Sequence, residues 1–150
     1  MILRIKLLGT FEARVGGSER LTFPTIKAKA LFAYLALEQD QPHSREKLSN
    51  MFWGEASDER ARANLRQALT RLRQAMPASL SGCVLAHNGT IQLDASAIQT
   101  DALDFERYTD DRTIESLERA PALYRGELLE GFLVHEDAFE GWLRQERQRY

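Results

Sequence analysis

The stretch DERARANLRQALTRLRQAM, residues 58–76, carries five arginines and, after Asp58 and Glu59, no acid. A solvated helix face ordinarily mixes both signs, because opposite charges three or four positions apart support one another. Leu65, Leu69, Leu72 and Met76 recur at helical spacing, so the stretch reads as an amphipathic helix with one stripe on a core. With Leu65 at the centre of that stripe and about 100° per residue, Ala63, Gln67, Thr70 and Gln74 fall opposite, flanked by Arg60, Arg66 and Arg71. That outer face is small, polar and cationic. Arginine pairs bidentately with guanine in the major groove, and glutamine or asparagine with adenine. The missing counter-charges would then be phosphates. The competing reading is a wet helix whose arginines lie over the core rim or meet acids elsewhere.

Other residue types offer less chemistry. His43, His87 and His135 lie far apart without cysteine or carboxylate ligand spacing, so no metal site is expected. Neither a phosphate-binding glycine loop nor a nucleophile elbow occurs, so neither an enzyme nor a cofactor is expected. The acids Asp101, Asp104, Asp110 and Asp111 lack the spacing and glycine of a calcium loop and read as a solvated helix end. Cys83 is the only cysteine, which excludes an internal disulfide and fits a reducing cytoplasm. It reads as a small buried residue at a strand start, and Trp53 and Trp142 read as core. No stretch is long and apolar enough for a membrane span, so no membrane partner is expected.

Net charge at first argues against DNA, since the 150 residues sum to −2. The average hides an asymmetry: residues 1–99 carry +4 and residues 100–150 carry −6. Two modules with different partners are the natural reading.

The elements that must position the arginine helix follow from periodicity and caps. Leu3, Ile5 and Leu7 alternate with Arg4 and Lys6, the mark of a half-buried strand. FEARV and RLTF continue the pattern around Gly16-Gly17-Ser18, predicting a small antiparallel sheet with a glycine turn. Pro24-Thr25 opens IKAKALFAYLAL, apolar nearly all round and so a central buried helix. Ser44 caps REKLSNMFW, Trp53-Gly54 closes it, and Ser57 caps the arginine helix, with Asp58 and Glu59 placed to suit its dipole. After Pro77, CVLAHNGTIQLD predicts a hairpin with a type I′ turn at Asn88-Gly89. DASAIQT reads as a connector. DALDFERY, TIESLERAPALYRGELLEGF and HEDAFEGWLRQERQRY read as helices, the middle one restarting or kinking at Pro121.

In this order the motifs resemble a family. LLGTFEARVGG, KAKALFAYLAL, SREKLSNMFWGE, ARANLRQALTRLRQAM and the closing hairpin resemble the OmpR-type winged helix of the Streptomyces antibiotic regulatory protein (SARP) family of transcriptional activators. ALYRGELLEGF and DAFEGWLRQERQRY resemble the start of the bacterial transcriptional activator domain. The resemblance implies an α+β fold: a winged helix-turn-helix with an N-terminal antiparallel sheet and a C-terminal hairpin wing over residues 1–94. An all-α helical-repeat (TPR-like) segment would then occupy residues 95–150.

It further implies that Asn64, Gln67, Thr70, Arg71 and Arg73 stand where the family contacts DNA, and that Lys27 and Lys29 lie near phosphate. Arg60 and Arg66 beside that face and Asn88 at the wing tip complete the expected DNA-binding set. Glu55 to Asp58 match the loop that in related regulators faces RNA polymerase, with Glu55 and Asp58 as its acids. Two positions depart from the pattern: the tip HNGT has no arginine, and Ala68 replaces a residue that is commonly polar or aromatic. The expected function is a cytoplasmic, sequence-specific DNA-binding activator. Its expected partners are double-stranded promoter or operator DNA, RNA polymerase and, on repeated half-sites, a second copy. The alternative is a helical-repeat interaction module whose winged helix binds protein. Because Phe139, Trp142 and Leu143 share one side of a final helix, further repeats are expected to cover that side after Tyr150.

Overall fold

Period-2 alternation does produce the first strand of the chain. In the computed structural model, which describes residues 2–16 and 19–150, β1 (Leu3–Lys6) buries Leu3 and Ile5 while Arg4 faces out. It pairs antiparallel with β2 (Glu12–Val15), which pairs in turn with the short β3 (Glu19–Arg20). The third strand was expected over RLTF, but pairing ends at Arg20. Leu21 gives only its amide, to the Ala13 carbonyl, before Pro24 approaches. Of the expected glycine turn, Gly16 has φ +60°, which suits a residue without Cβ, whereas Gly17 and Ser18 lie outside the described residues.

The helix α1 (Ile26–Leu37) begins at Thr25, whose hydroxyl accepts the Ala28 amide at 3.0 Å. Nine of its twelve residues are buried, so it forms the spine of the core. Next come β4 (His43–Ser44), α2 (Arg45–Phe52) capped by Ser44, and α3 (Asp58–Ala75) capped by Ser57. The hairpin follows as β5 (Val84–His87) and β6 (Thr90–Leu93), with φ +49° at Asn88 and +77° at Gly89, as a type I′ turn requires. β6 also pairs with β4, giving a second sheet of order β4-β6-β5. The β4 strand was not expected, since two residues ahead of a helix cap carry no alternation.

Three expectations for the rest of the chain need correction. DASAIQT is more than a connector: after a 3-10 turn it forms β7 (Ile98–Thr100), parallel to β1, so the first sheet runs β3-β2-β1-β7. Asp101 does not belong to a solvated helix end. It opens α4 (Asp101–Asp111) and is buried, with its carboxylate accepting the Leu7 amide at 2.7 Å and the Leu8 amide at 3.2 Å. Finally, α5 (Ile114–Leu123) does not restart at Pro121; it runs through it and ends two residues later, with the Tyr124 amide on the Pro121 carbonyl. YRGELLEGF is not helical, because its backbone pairs with the end of the first strand. Gly9 donates to the Glu127 carbonyl, Leu129 to that of Leu7 and Glu130 to that of Gly9.

The last helix, α6 (Asp137–Arg149), lays its apolar side on the first helices. Phe139 and Leu143 are fully buried, Phe139 meets Phe52 at 5.2 Å between centroids, and Trp142 meets Tyr34 edge-on at 4.8 Å. Trp142 also donates its indole N–H to Glu38 at 3.2 Å. The side that was expected to need later repeats is thus covered by α1 and α2. One hydrophobic cluster includes residues from β1 through α6.

Candidate nucleic-acid interface

Sequence fixes which way α3 turns. Ala61, Leu65, Ala68, Leu69 and Leu72 are buried, and α2 and α1 pack against them. Arg60, Arg62, Ala63, Arg66, Gln67, Thr70, Arg71 and Gln74 are left exposed, and Asn64 half-exposed. The face expected to be opposite Leu65 is therefore the exposed one. Among the described residues, no carboxylate pairs with Arg60, Arg62, Arg66 or Arg71. Elsewhere Arg20, Arg107, Arg119, Arg147 and Arg149 all have acidic partners. Arg4, Arg45, Arg112, Arg125 and Arg144 also lack an ion pair among the described residues, so what distinguishes α3 is that four unpaired arginines share one helix.

The expected contact residues do not all stand together. Asn64, Gln67 and Arg71 line one side of a hollow of about 340 Å³, with Thr25, Ile26, Lys27 and Trp53 on the other side and Ala68 between. Ala68 is buried at the junction of α3 with the start of α1, a place for which a larger side chain leaves little room. Thr70 turns its hydroxyl back to the Arg66 carbonyl at 3.0 Å, which uses its proton and leaves its lone pairs free. Arg73 lies apart from this face. It is half-buried, and its guanidinium donates to the Val84 carbonyl at 3.2 Å, fastening the hairpin to α3. Asn88 is exposed at the turn, beside His87.

The two lysines at the start of α1 differ in their surroundings. Lys27 lines the hollow but sits 3.0 Å from a carboxylate oxygen of Glu136 and over the Trp53 ring. Lys29 points to the other side, with its ammonium 5.6 Å from the centroids of both Phe11 and Phe132. Glu55, in the connection between α2 and α3, and Asp58, the first residue of α3, are exposed and carry no ion pair among the described residues.

Three participants escaped sequence reasoning. Arg62 lies only about 60° from the Leu65 direction on a helical wheel, which suggests a rim position. It is nonetheless exposed, although Ala61 and Leu65 on either side of it are buried. Ile26 leaves nearly half its surface in the hollow, as the first helical residue after a cap often must. Glu136 reaches Lys27 across 109 residues, and no local pattern could have announced it.

No family model matches the chain, and no curated protein matches it. Among solved structures, EmbR of Mycobacterium tuberculosis, in complex with a low-affinity phosphopeptide, superposes with a TM-score of 0.72 at 19% identity. The match covers 98% of this chain and 42% of that one. The chain therefore shares the α+β fold of EmbR along nearly its whole length while spanning less than half of EmbR.

Proposed function

We propose that this chain is a sequence-specific DNA-binding transcriptional regulator of the SARP type, acting in the cytoplasm without enzymatic chemistry. α2 and α3 serve as the helix-turn-helix, α3 as the helix that enters the major groove, and the β5–β6 hairpin as the wing. Residues 1–94 carry DNA binding, and the helices that follow β7 begin the activator domain. The observation that carries the reading is the outer face of α3. Four unpaired arginines there flank amides whose donors and acceptors match base edges. EmbR, which shares the fold, adds no base contact to this argument; the cationic face stands on its own.

Gln67, Arg71 and Asn64 are the proposed base readers; Arg60, Arg62, Arg66 and Lys27 hold phosphates. Lys29, Thr70, Arg73 and Asn88 retain supporting roles, with Arg73 acting through the position of the wing. Glu55 and Asp58 face RNA polymerase, whose basic surface they would steer and register. On repeated half-sites, two copies bind side by side.

Selection of bound duplexes from a random DNA library, followed by mobility shifts on the winner, tests the proposal. Affinity should fall steeply with salt, with a log–log slope of about −0.9 for each phosphate neutralised. No enriched sequence, or a flat salt response, would favour the alternative in which the same face binds protein. The Lys27–Glu136 pair and the uncharged wing tip are what that alternative rests on.

A further inference from the structure

The outward side of the first sheet holds a second cationic cluster, which DNA reading by α3 does not use. Strand register places Arg20 opposite Arg14 and Arg14 opposite Arg4, with Gln99 next in line. Three arginines thus stand side by side across β3, β2 and β1. Like charges directly opposite one another weaken a sheet, so such a row calls for an anion. Glu12 supplies one: its carboxylate meets Arg14 at 2.6 Å, Arg20 at 2.9 Å and Lys6 at 3.3 Å. One charge cannot balance these three and Arg4 as well.

The row also borders a cavity. A hollow of about 410 Å³ opens between this sheet face and the chain after α5, with Arg4, Lys6 and Arg14 on one wall and Arg125 on the other. Its volume lies within the range of small-ligand sites and is far too confined for a duplex. The carboxylates in its lining are already engaged. Glu12 holds three cations, and Asp101 is buried on the amides of Leu7 and Leu8. Asp104 binds Arg107 and the Gln99 amide. Among the described residues, neither Arg4 nor Arg125 is bonded to a carboxylate. Leu123 adds one apolar side chain beside the cations.

We infer that this hollow, between the outer face of the first sheet and Arg125, binds a small phosphate monoester, with Arg4 and Arg125 gripping the phosphate. Arginine suits the task because its planar donor fork meets two phosphate oxygens at once. Lys6 and Arg14, already shared with Glu12, add field rather than direct bonds. Leu123 lies against the carbon skeleton that carries the phosphate.

The test is calorimetric titration of the full chain with inorganic phosphate, ribose 5-phosphate and ribose at matched ionic strength. We expect one saturable site for ribose 5-phosphate, weaker binding of inorganic phosphate and none of ribose. Arg125→Ala, which also removes a charge that acts on the Asp101 carboxylate, and Arg4→Ala should each weaken ribose 5-phosphate tenfold or more. Arg4→Lys should fall between wild type and Arg4→Ala, and Arg66→Ala on α3 should bind as wild type. Should Arg4→Ala fail to fold, Arg125→Ala and Arg4→Lys decide the matter. Absence of a saturable isotherm overturns the proposal, as does unchanged binding by Arg125→Ala. Loss of binding in Arg66→Ala also overturns it, since that locates the anion on α3. Equal binding of phosphate and ribose 5-phosphate would refute the monoester and leave a bare anion site. DNA binding is read separately on the selected duplex, so failure here leaves the function of α3 standing, and the reverse.

Discussion

Gln67 and Arg71 are four positions apart on α3, both exposed and both on the rim of the hollow that Ile26 and Trp53 complete. A bidentate pair with a base discriminates by about 1–3 kcal/mol. Gln67→Ala and Arg71→Ala are each expected to lose that much at the selected site and to relax preference at one base position. Isotherms on the site and on its single-base variants measure both effects. Equal loss on every duplex would demote the residue to a phosphate contact. Glu12 supports a different kind of experiment, because the Arg14 guanidinium and then Lys6 hold its carboxyl down at about 2, from 4.5. A carboxylate lowered by folding lends stability that is complete above the ordinary carboxylate range and disappears as pH falls through the lowered value. Glu12→Gln should therefore unfold at lower urea than wild type at pH 7, with the gap closing between about pH 4.5 and pH 2. A gap that persists at pH 2 would mean that Glu12 acts through packing instead.

Elements divide into those that local chemistry announces and those that distant partners impose. Thr25, Ser44 and Ser57 announced three helices, and each hydroxyl does cap its helix in the structure. The stripe from Leu65 to Met76 and the Asn88-Gly89 turn were equally legible, because periodicity and turn chemistry act within a few residues. Segments 98–100 and 124–132 were misread for the opposite reason: their backbone partners lie near residues 3–9, about a hundred positions away. The candidate interface divides in the same way. Helical phase gave Gln67 and Arg71 and sets Arg73 nearer the Leu65 side, but only tertiary structure supplies its partner. Its bond to the Val84 carbonyl joins hairpin to helix, and a charge-assisted hydrogen bond of this kind is worth about 1.5–3 kcal/mol. Arg73→Ala should lower stability by roughly that amount while leaving base preference intact, as denaturation and a binding screen would report. The connection from α2 to α3 carries the complementary expectation. Glu55 is exposed and acidic where a phosphate contact needs the reverse sign, so Glu55→Arg should keep or slightly raise operator affinity and reduce transcription in vitro. Transcription that simply followed occupancy would assign the loop no activating role.

At the scale of the molecule, the two halves differ in charge by sign, +4 against −6, and meet in one place that matters for DNA. Glu136, from the acidic half, sets one carboxylate oxygen 3.0 Å from the Lys27 ammonium and the other 3.0 Å from the Gly54 amide. A single side chain thus links the start of α6, the start of α1 and the connection that leads into α3. The pair is partly exposed, so its contribution to stability is about 0–1 kcal/mol. Its influence on binding is larger in principle, because a phosphate approaching Lys27 must compete with a carboxylate already there. Glu136→Gln keeps an acceptor for Gly54 and removes only the charge. The variant should bind the selected duplex several-fold more tightly, with the salt slope steeper by about 0.9, the share of one added phosphate contact. Lys27→Ala should weaken all duplexes alike and flatten the slope, and in that background Glu136→Gln should regain at most the small gain from its lost repulsion. Isotherms for the four proteins at three salt concentrations measure the coupling. If Glu136→Gln tightens binding equally with and without Lys27, the acid acts on DNA by general repulsion, and Lys27 is no phosphate contact.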